Sequence, residues 1–371
     1  MNKLDRIKKI IIKKPLKLDC GVTITNFPLA YETYGILNQN KDNAIMVFHA
    51  LTGDQFASGK NPVTNKDGWW SNVIGPNKAL DINKYFIICA NVIGGCMGSY
   101  GPNSIDKNSG KKIGVNFPVI TINDMVNAQF NLLDHFNIDK LFCVTGGSMG
   151  GMQVLQFVSN FPDKVKIAIP IACSASHSAQ NIAFNELGRQ AIMADDNWKN
   201  GNYELENVSP AKGLSVARMA AHITYLSKKG LQEKFGRKLQ ERDKIKFGFD
   251  ADFQIESYLR YQGSIFVDRF DANSYLYITR AMDYFDLSKK FNGDLSKVFK
   301  NTKTKFLIIS FTSDWLYPTA ENREIVIALN ATNADVGFLE IKSDKGHDSF
   351  LLDIPDFLNS VKNFIDNSYK N

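Results

Sequence analysis

Six short, largely apolar runs punctuate the chain: Ala44 to His49, Tyr85 to Asn91, Leu141 to Thr145, Lys166 to Ile171, Thr304 to Ser310 and Gly337 to Ile341. Continuous runs of about 5 to 7 residues belong to strands covered on both faces, because a half-exposed strand would carry a polar residue at every second position. Between two of them, Ile120 to Phe136 keeps Met125, Ala128, Leu132 and Leu133 at helical spacing, with Thr121 or Asn123 able to cap the start. Strand, helix, strand predicts a mostly parallel, doubly wound sheet with helices on its faces. Alternation around Leu29 to Tyr34 predicts an antiparallel strand opening that sheet.

From about Ser176 to Lys300 the pattern becomes helical, rich in aromatics and paired charges, and strand character returns only near Phe306. A chain of 371 residues exceeds one ordinary compact domain and falls short of two large ones, so the pattern predicts one core carrying a sizeable insertion. The expected division is core over 1–175, helical cap over 176–300 and core again over 301–371. A cap entering after the strand near Cys173 would lie over the carboxyl edge of the sheet, where such folds keep their sites. There is no internal repeat.

Composition narrows the function classes. Hydrophobic residues at 44% and charged residues at 22% describe a chain able to bury a core. The net charge of +6 is modest, and lysines crowd only at Lys8, Lys9, Lys13 and Lys14, which reads as a solvated tail ahead of the first strand rather than a nucleic-acid contact. Ile10 to Ile12 run straight into Lys13, Lys14 and Pro15, too short for an export signal. No stretch approaches the roughly 20 apolar residues that span a bilayer. The expectation is therefore a cytoplasmic protein with no membrane or nucleic-acid partner. Five scattered cysteines without a CxxC pair suggest neither a disulfide frame nor a metal site, and Cys89, Cys143 and Cys173 read as buried thiols.

The chemistry concentrates at Gly146-Gly147-Ser148-Met149-Gly150, a GxSxG motif that follows an apolar strand and opens an apolar helix. On such a turn Ser148 takes a strained backbone and lifts its hydroxyl above the sheet, while small neighbours let strand and helix close around it. The amide of Met149, at the helix start, is placed to donate to an oxyanion. No GK[ST] or downstream acidic ribose partner completes a phosphate-binding motif.

Serine needs a base, and the base needs a carboxylate to fix its tautomer. The chain order expected for this elbow is Ser, then Asp or Glu, then His. Of five histidines, His347 follows the last apolar run in a glycine-flanked loop. Asp314 directly follows the run ending at Ser310, which puts it on the same edge. His49-Ala50-Leu51-Thr52-Gly53-Asp54 ends an earlier strand and offers a second oxyanion amide from Leu51, although a tight turn alone would explain Gly53 as well.

These residues resemble those of a known family, the homoserine O-acyltransferases of the α/β-hydrolase fold, with the homoserine O-acetyltransferases of methionine biosynthesis as nearest members. The likeness covers about residues 20 to 355. It runs in family order through His49 to Asp54, Gly68-Trp69-Trp70, Asn91 to Cys96, Gly101-Pro102, Gly146 to Gln153, Ala217-Arg218, Arg269 to Tyr275 and Gly346 to Leu351. The resemblance implies transfer of an acyl group from acetyl-CoA, a co-substrate, to the hydroxyl of L-homoserine through an acyl-Ser148 intermediate. It assigns Arg218 to the amino acid's carboxylate and Asp348 to its ammonium. It implies a homodimer formed through the cap and no metal or prosthetic group. A transferase must also keep water from the acyl-enzyme, which predicts a narrow tunnel under residues 176–300.

Other readings stay open on the sequence. Succinyl-CoA would need a further cation, for which Arg189, Arg237 and Arg260 are unplaced candidates. L-Serine is one methylene shorter than homoserine, a difference worth only about 1 to 3 kcal/mol in a pocket. A plain esterase would use Ser148, Asp314 and His347 without needing Arg218 or Asp348, and a noncatalytic binding protein would need none of them.

Overall fold

The computed structural model describes residues 7–370. In chain order the strands are β1 (Lys9–Ile12), β2 (Leu16–Lys17), β3 (Thr23–Ile24), β4 (Phe27–Tyr34), β5 (Ala44–Phe48), β6 (Ile74–Gly75), β7 (Leu80–Asp81), β8 (Phe86–Ala90), β9 (Leu141–Gly147), β10 (Val165–Ile171), β11 (Lys305–Phe311) and β12 (Val336–Ile341). Eight form one sheet in the order β1-β4-β8-β5-β9-β10-β11-β12. It is parallel from β8 through β12 and antiparallel where β4 meets β8 and β1 meets β4.

All six apolar runs are strands of this sheet. Successive side chains of β5 and β9 serve opposite faces: Met46 and Val144 belong to one packed cluster, Ile45, Val47 and Cys143 to the other. That two-sided burial is why the runs show no alternation. β12 departs from the expectation: it is mostly half-buried, because it is the last strand of the sheet and has a neighbour on one side only.

The basic N-terminal stretch also differs from the solvated tail expected. Lys9–Ile12 pairs with β4 and extends the sheet, Ile12 is buried, and Lys8 forms an ion pair with Glu32. The outer edge of β4 carries backbone groups that need partners, and Ile12 supplies an apolar side chain to accompany them. Lys13 and Lys14 remain exposed.

Helices α1 (Ile122–Phe136) and α2 (Met149–Asn160) flank β9 in the chain. Thr121 caps α1: its hydroxyl accepts from the N–H of Asp124, whose carboxylate accepts from the N–H of Thr121 in return. Helices α3 (Ala179–Met193), α4 (Ala211–Tyr225), α5 (Lys228–Lys234), α6 (Gln254–Val267) and α7 (Ala272–Asp283) all fall between β10 and β11. Helices α8 (Thr319–Asn330) and α9 (Pro355–Lys370) follow β11 and β12. No described helix is long and apolar enough to cross a membrane.

Candidate active site

The turn between β9 and α2 holds Ser148 at φ 59° and ψ −126°, a left-handed backbone that costs energy for any residue with a Cβ. Its N–H donates to Ile171 O of β10 at 3.0 Å, which ties the strained residue to the sheet. The glycines around it answer to space. A Cβ on Gly146 would sit 2.5 Å from Phe48 O, and one on Gly150 only 2.2 Å from that same carbonyl. A Cβ on Gly147 would sit 2.4 Å from the ring of Phe350, so the turn lies directly against the loop carrying His347.

That loop is a short helical turn over Gly346–Leu351, after β12. His347 Nδ1 donates to Asp314 Oδ2 at 2.7 Å. Asp314 sits just past β11, and its other oxygen accepts from the backbone N–H groups of Leu316 and Tyr317, each at 3.0 Å. The carboxylate is thus fully engaged, and the imidazole has one orientation and one tautomer. Its Nε2 is buried with no hydrogen-bond partner, an atom free to take a proton. The rings of Tyr317, Phe350 and Tyr225 surround it at centroid distances of 5.1, 5.5 and 6.0 Å.

Ser148 opens into a small cavity of about 40 Å³, whose walls include Leu51, His177, Tyr225, Met282 and Tyr317. A second cavity of about 320 Å³ is lined by Thr52, Gly53, Trp69, Arg218, Phe266 and Arg269 among others. The loop after β5 therefore runs between the two, with Leu51 on one wall and Thr52 and Gly53 on the other. The loop carries the turn expected around Gly53, whose N–H donates to Ala50 O at 2.9 Å, and brings Leu51 to the cavity wall.

The loop is held rigidly. His49 Nδ1 donates to Ala50 O at 2.8 Å, leaving Nε2 to accept from Val92 N–H at 3.1 Å. Burial pushes this histidine's pKa down to about 4, against a smaller opposing pull from Ala50, so the neutral tautomer that these bonds require is the stable one. Gln153 Nε2 of α2 donates to His49 O at 3.1 Å, and Arg269 donates to Thr52 O at 2.9 Å. Asp54 closes the loop by accepting from Phe56 N–H at 2.8 Å. Met149 is the first residue of α2, so its N–H has no acceptor within the helix and points out of the helix start beside Ser148.

Arg218, on α4, lies between two rings, 4.7 Å from Phe266 and 5.5 Å from Tyr225, with a long contact of 3.4 Å to the hydroxyl of Thr52. It forms no salt bridge among the described residues. Asp348 is its electrostatic neighbour. Burial raises the Asp348 carboxyl to about 6, more than His347 and Arg218 pull it down.

Of the seven residues singled out from the sequence, His347 and Asp314 are hydrogen-bonded to each other, Ser148 and Leu51 line one cavity and Arg218 the other, and Met149 and Asp348 follow Ser148 and His347 directly in the chain. Sequence reasoning missed Arg269, Tyr225 and His177. Of these only Arg269 stood inside a recognised motif, and that was its only signal. Of the unplaced arginines, Arg189 pairs with Asp283 at 2.7 Å, Arg237 lies over the ring of Phe253, and Arg260 donates to Phe249 O on the surface. None of the three lines the Ser148 cavity. Among the described residues no cluster of His, Cys, Asp or Glu is arranged to hold a metal ion.

Comparison with known proteins agrees with this geometry. The family model described as alpha/beta hydrolase fold matches residues 43–353. A homoserine O-acetyltransferase of Pelagibacter ubique (strain HTCC1062) is 76% identical over 100% of this chain and 99% of its own length. One from Mesorhizobium japonicum is 60% identical, covering 95% of this chain and 90% of its own. Among solved structures, homoserine O-acetyltransferase from Bacillus anthracis superposes with a TM-score of 0.88 at 27% identity, covering 97% of both chains. Esterase E22 superposes almost as well, with a TM-score of 0.86 at 27% identity over 97% of this chain and 100% of its own. Backbone shape is thus shared between transferases and esterases, whereas the full-length identity is with transferases. The chain belongs to the homoserine O-acetyltransferase family of the alpha/beta hydrolase fold.

Proposed function

We propose that the protein transfers an acetyl group from acetyl-CoA to the side-chain hydroxyl of L-homoserine, with Ser148 as nucleophile, His347 as general base and acid, and Asp314 as the orienting carboxylate. Ser148 Oγ attacks the thioester carbonyl as His347 Nε2 takes its proton. The oxyanion that forms meets the N–H groups of Met149 and Leu51. The C–S bond breaks, and His347 returns the proton to the departing thiolate, leaving acetyl-Ser148 and CoA. Homoserine then enters, its carboxylate on Arg218 and its ammonium on Asp348. His347 takes the hydroxyl proton, the hydroxyl attacks the ester carbonyl, and Ser148 leaves with the proton restored.

The observation that carries this reading is the pairing of opposite charges beside the histidine. Arg218 has no salt bridge and Asp348 sits within the field of both Arg218 and His347, an arrangement suited to a zwitterion. An esterase has no use for either. The small Ser148 cavity and the engagement of Arg189 with Asp283 support acetyl over succinyl, which would bring a second carboxylate into a space without a free cation.

The helices between β10 and β11 serve in this reading as a cap that limits water at the acyl-enzyme. The enzyme works as a homodimer in solution. Its apolar groove of about 650 Å³, formed by Leu226, Leu231, Phe235, Ile255 and Trp315 among others, supports that assembly.

The test is release of CoA thiol by purified protein from acetyl-CoA or succinyl-CoA against L-homoserine, L-serine or no acceptor, with Ser148→Ala in parallel. Release that depends on homoserine and acetyl-CoA and disappears in the variant is the expected result. Cleavage of simple esters with no acceptor-dependent release would replace the transferase with an esterase.

A further inference from the structure

Two residues lining the cavity at Ser148, His177 and Tyr317, form with Asp283 a second chain of carboxylate, imidazole and hydroxyl. Asp283, at the end of α7, lies 3.2 Å from His177 Nδ1, and His177 Nε2 lies 2.8 Å from the hydroxyl of Tyr317. Asp283 is further held by Arg189 at 2.7 Å and by Asn185 Nδ2 at 2.7 Å. The side chains of His177, Asp283 and Arg189 are only 1%, 4% and 3% exposed, so no bulk water competes for these contacts.

The chemistry of the partners fixes the proton positions. Burial alone would raise the Asp283 carboxyl, but the bonds from His177 and Asn185 together with the Arg189 guanidinium hold it below the ordinary range. An ionised carboxylate only accepts, so Nδ1 of His177 carries the hydrogen. The buried Tyr317 hydroxyl, whose one hydrogen-bond partner among the described residues is His177 Nε2, donates to that nitrogen.

Tyr317 joins this chain to the site already described. Its backbone N–H donates to Asp314 Oδ1, its ring lies 5.1 Å from that of His347, and it is almost fully buried. One residue thus holds the carboxylate by its backbone and covers the imidazole with its ring, while its hydroxyl is tied to a different part of the fold. Without that tie a phenol ring can slide along its neighbours, and the imidazole it covers loses one wall.

We propose that His177 and Asp283 are positioning residues that lock Tyr317 and, through it, fix the plane of His347 for proton transfer with Ser148. This rests on the reading of Ser148, Asp314 and His347 given above.

Tyr317→Phe, His177→Leu and His177→Gln test it in the full-length enzyme, with Ser148→Ala beside them. The first two lower kcat about tenfold, the scale expected for a small misplacement of a reacting group, while KM for both substrates stays within about twofold. His177→Gln recovers most of the rate, because the glutamine carbonyl can accept from the Tyr317 hydroxyl. Tyr317→Phe keeps the ring but strands the buried Nε2 of His177, so its melting temperature falls by a few degrees, and kcat measured well below that melt separates the loss from one of folding. A wild-type kcat in Tyr317→Phe, a loss confined to KM, or a His177→Gln no better than His177→Leu overturns the proposal. If instead Ser148→Ala itself keeps homoserine-dependent release, the failure lies in the triad reading.

Discussion

The carboxyl edge of the sheet and the helices packed over it both bury an aspartate beside a histidine, and they satisfy it differently. Asp314 is held by backbone N–H groups two and three residues further on, so its position follows from the turn after β11. Asp283 relies on side chains, from His177, Asn185 and Arg189, which reach it from α3 and the segment before it. The first arrangement is local and survives wherever strand and turn form. The second exists only once α3 and α7 have packed. In the proposed reading the edge carries the steps of acyl transfer, while the helices hold the acceptor through Arg218 and steady His347 through Tyr317.

The sharpest way to break that division is to remove one group from each side. Ser148→Ala should cost about ten-thousand-fold or more in homoserine-dependent CoA release, since no other group can form the acyl-enzyme. Stopped-flow detection of the acyl-enzyme burst checks it: the burst must vanish. Arg218→Met, on α4, should instead leave the burst intact and raise KM for homoserine about a hundredfold, the size expected for a lost charged hydrogen-bonding pair. If Arg218→Met abolishes the burst too, the acceptor site takes part in forming the acyl-enzyme and the division fails.

Asp348 lies where the two regions meet, and its pKa of about 6 makes pH a third probe. Only its ionised form can hold an ammonium. kcat/KM for homoserine should therefore fall about tenfold per unit as pH drops below about 6, beyond any fall seen in the burst rate. Stability moves the other way. A carboxyl whose folded pKa is raised binds its proton more tightly in the fold, so its contribution is fully present below the ordinary 3.8 and is lost as pH rises through about 6. Thermal melts of the wild type and Asp348→Asn check the sign: the wild type should lose stability relative to the variant between about pH 4 and 6.

What the sequence disclosed follows the same line between local and assembled. Ser148, Asp314 and His347 were legible because each sits at the end of an apolar run, and run ends map onto one sheet edge. The capping of α1 by Thr121 was legible for a similar reason, its partner being three residues away. Arg218 and Asp348 had no such signal and came from resemblance. The contacts of Arg269 with Thr52, and of His177 with Asp283 and Tyr317, join residues more than 100 positions apart, and nothing in their neighbours' periodicity announces them. β1 was misread because the need it meets, the open edge of β4, is a property of the assembled sheet.

The smallest effect expected comes from the seam between the Ser148 turn and the His347 loop. Gly147 has no strained backbone to relieve, so replacing it acts through space alone, the new Cβ falling 2.4 Å from a Phe350 ring that is itself buried. Overpacking of this kind costs about 1 to 3 kcal/mol. In a chain of this size that lowers the melting temperature by only a few degrees, at about 2 to 4 °C per kcal/mol or less. Because the displaced ring lies 5.5 Å from that of His347, Gly147→Ala should lower kcat while leaving KM for homoserine near its wild-type value. A melt and a KM determination on one variant suffice. A raised KM with unchanged kcat would mean that the seam positions the acceptor rather than the base, and that the two regions are coupled through the loop at His347.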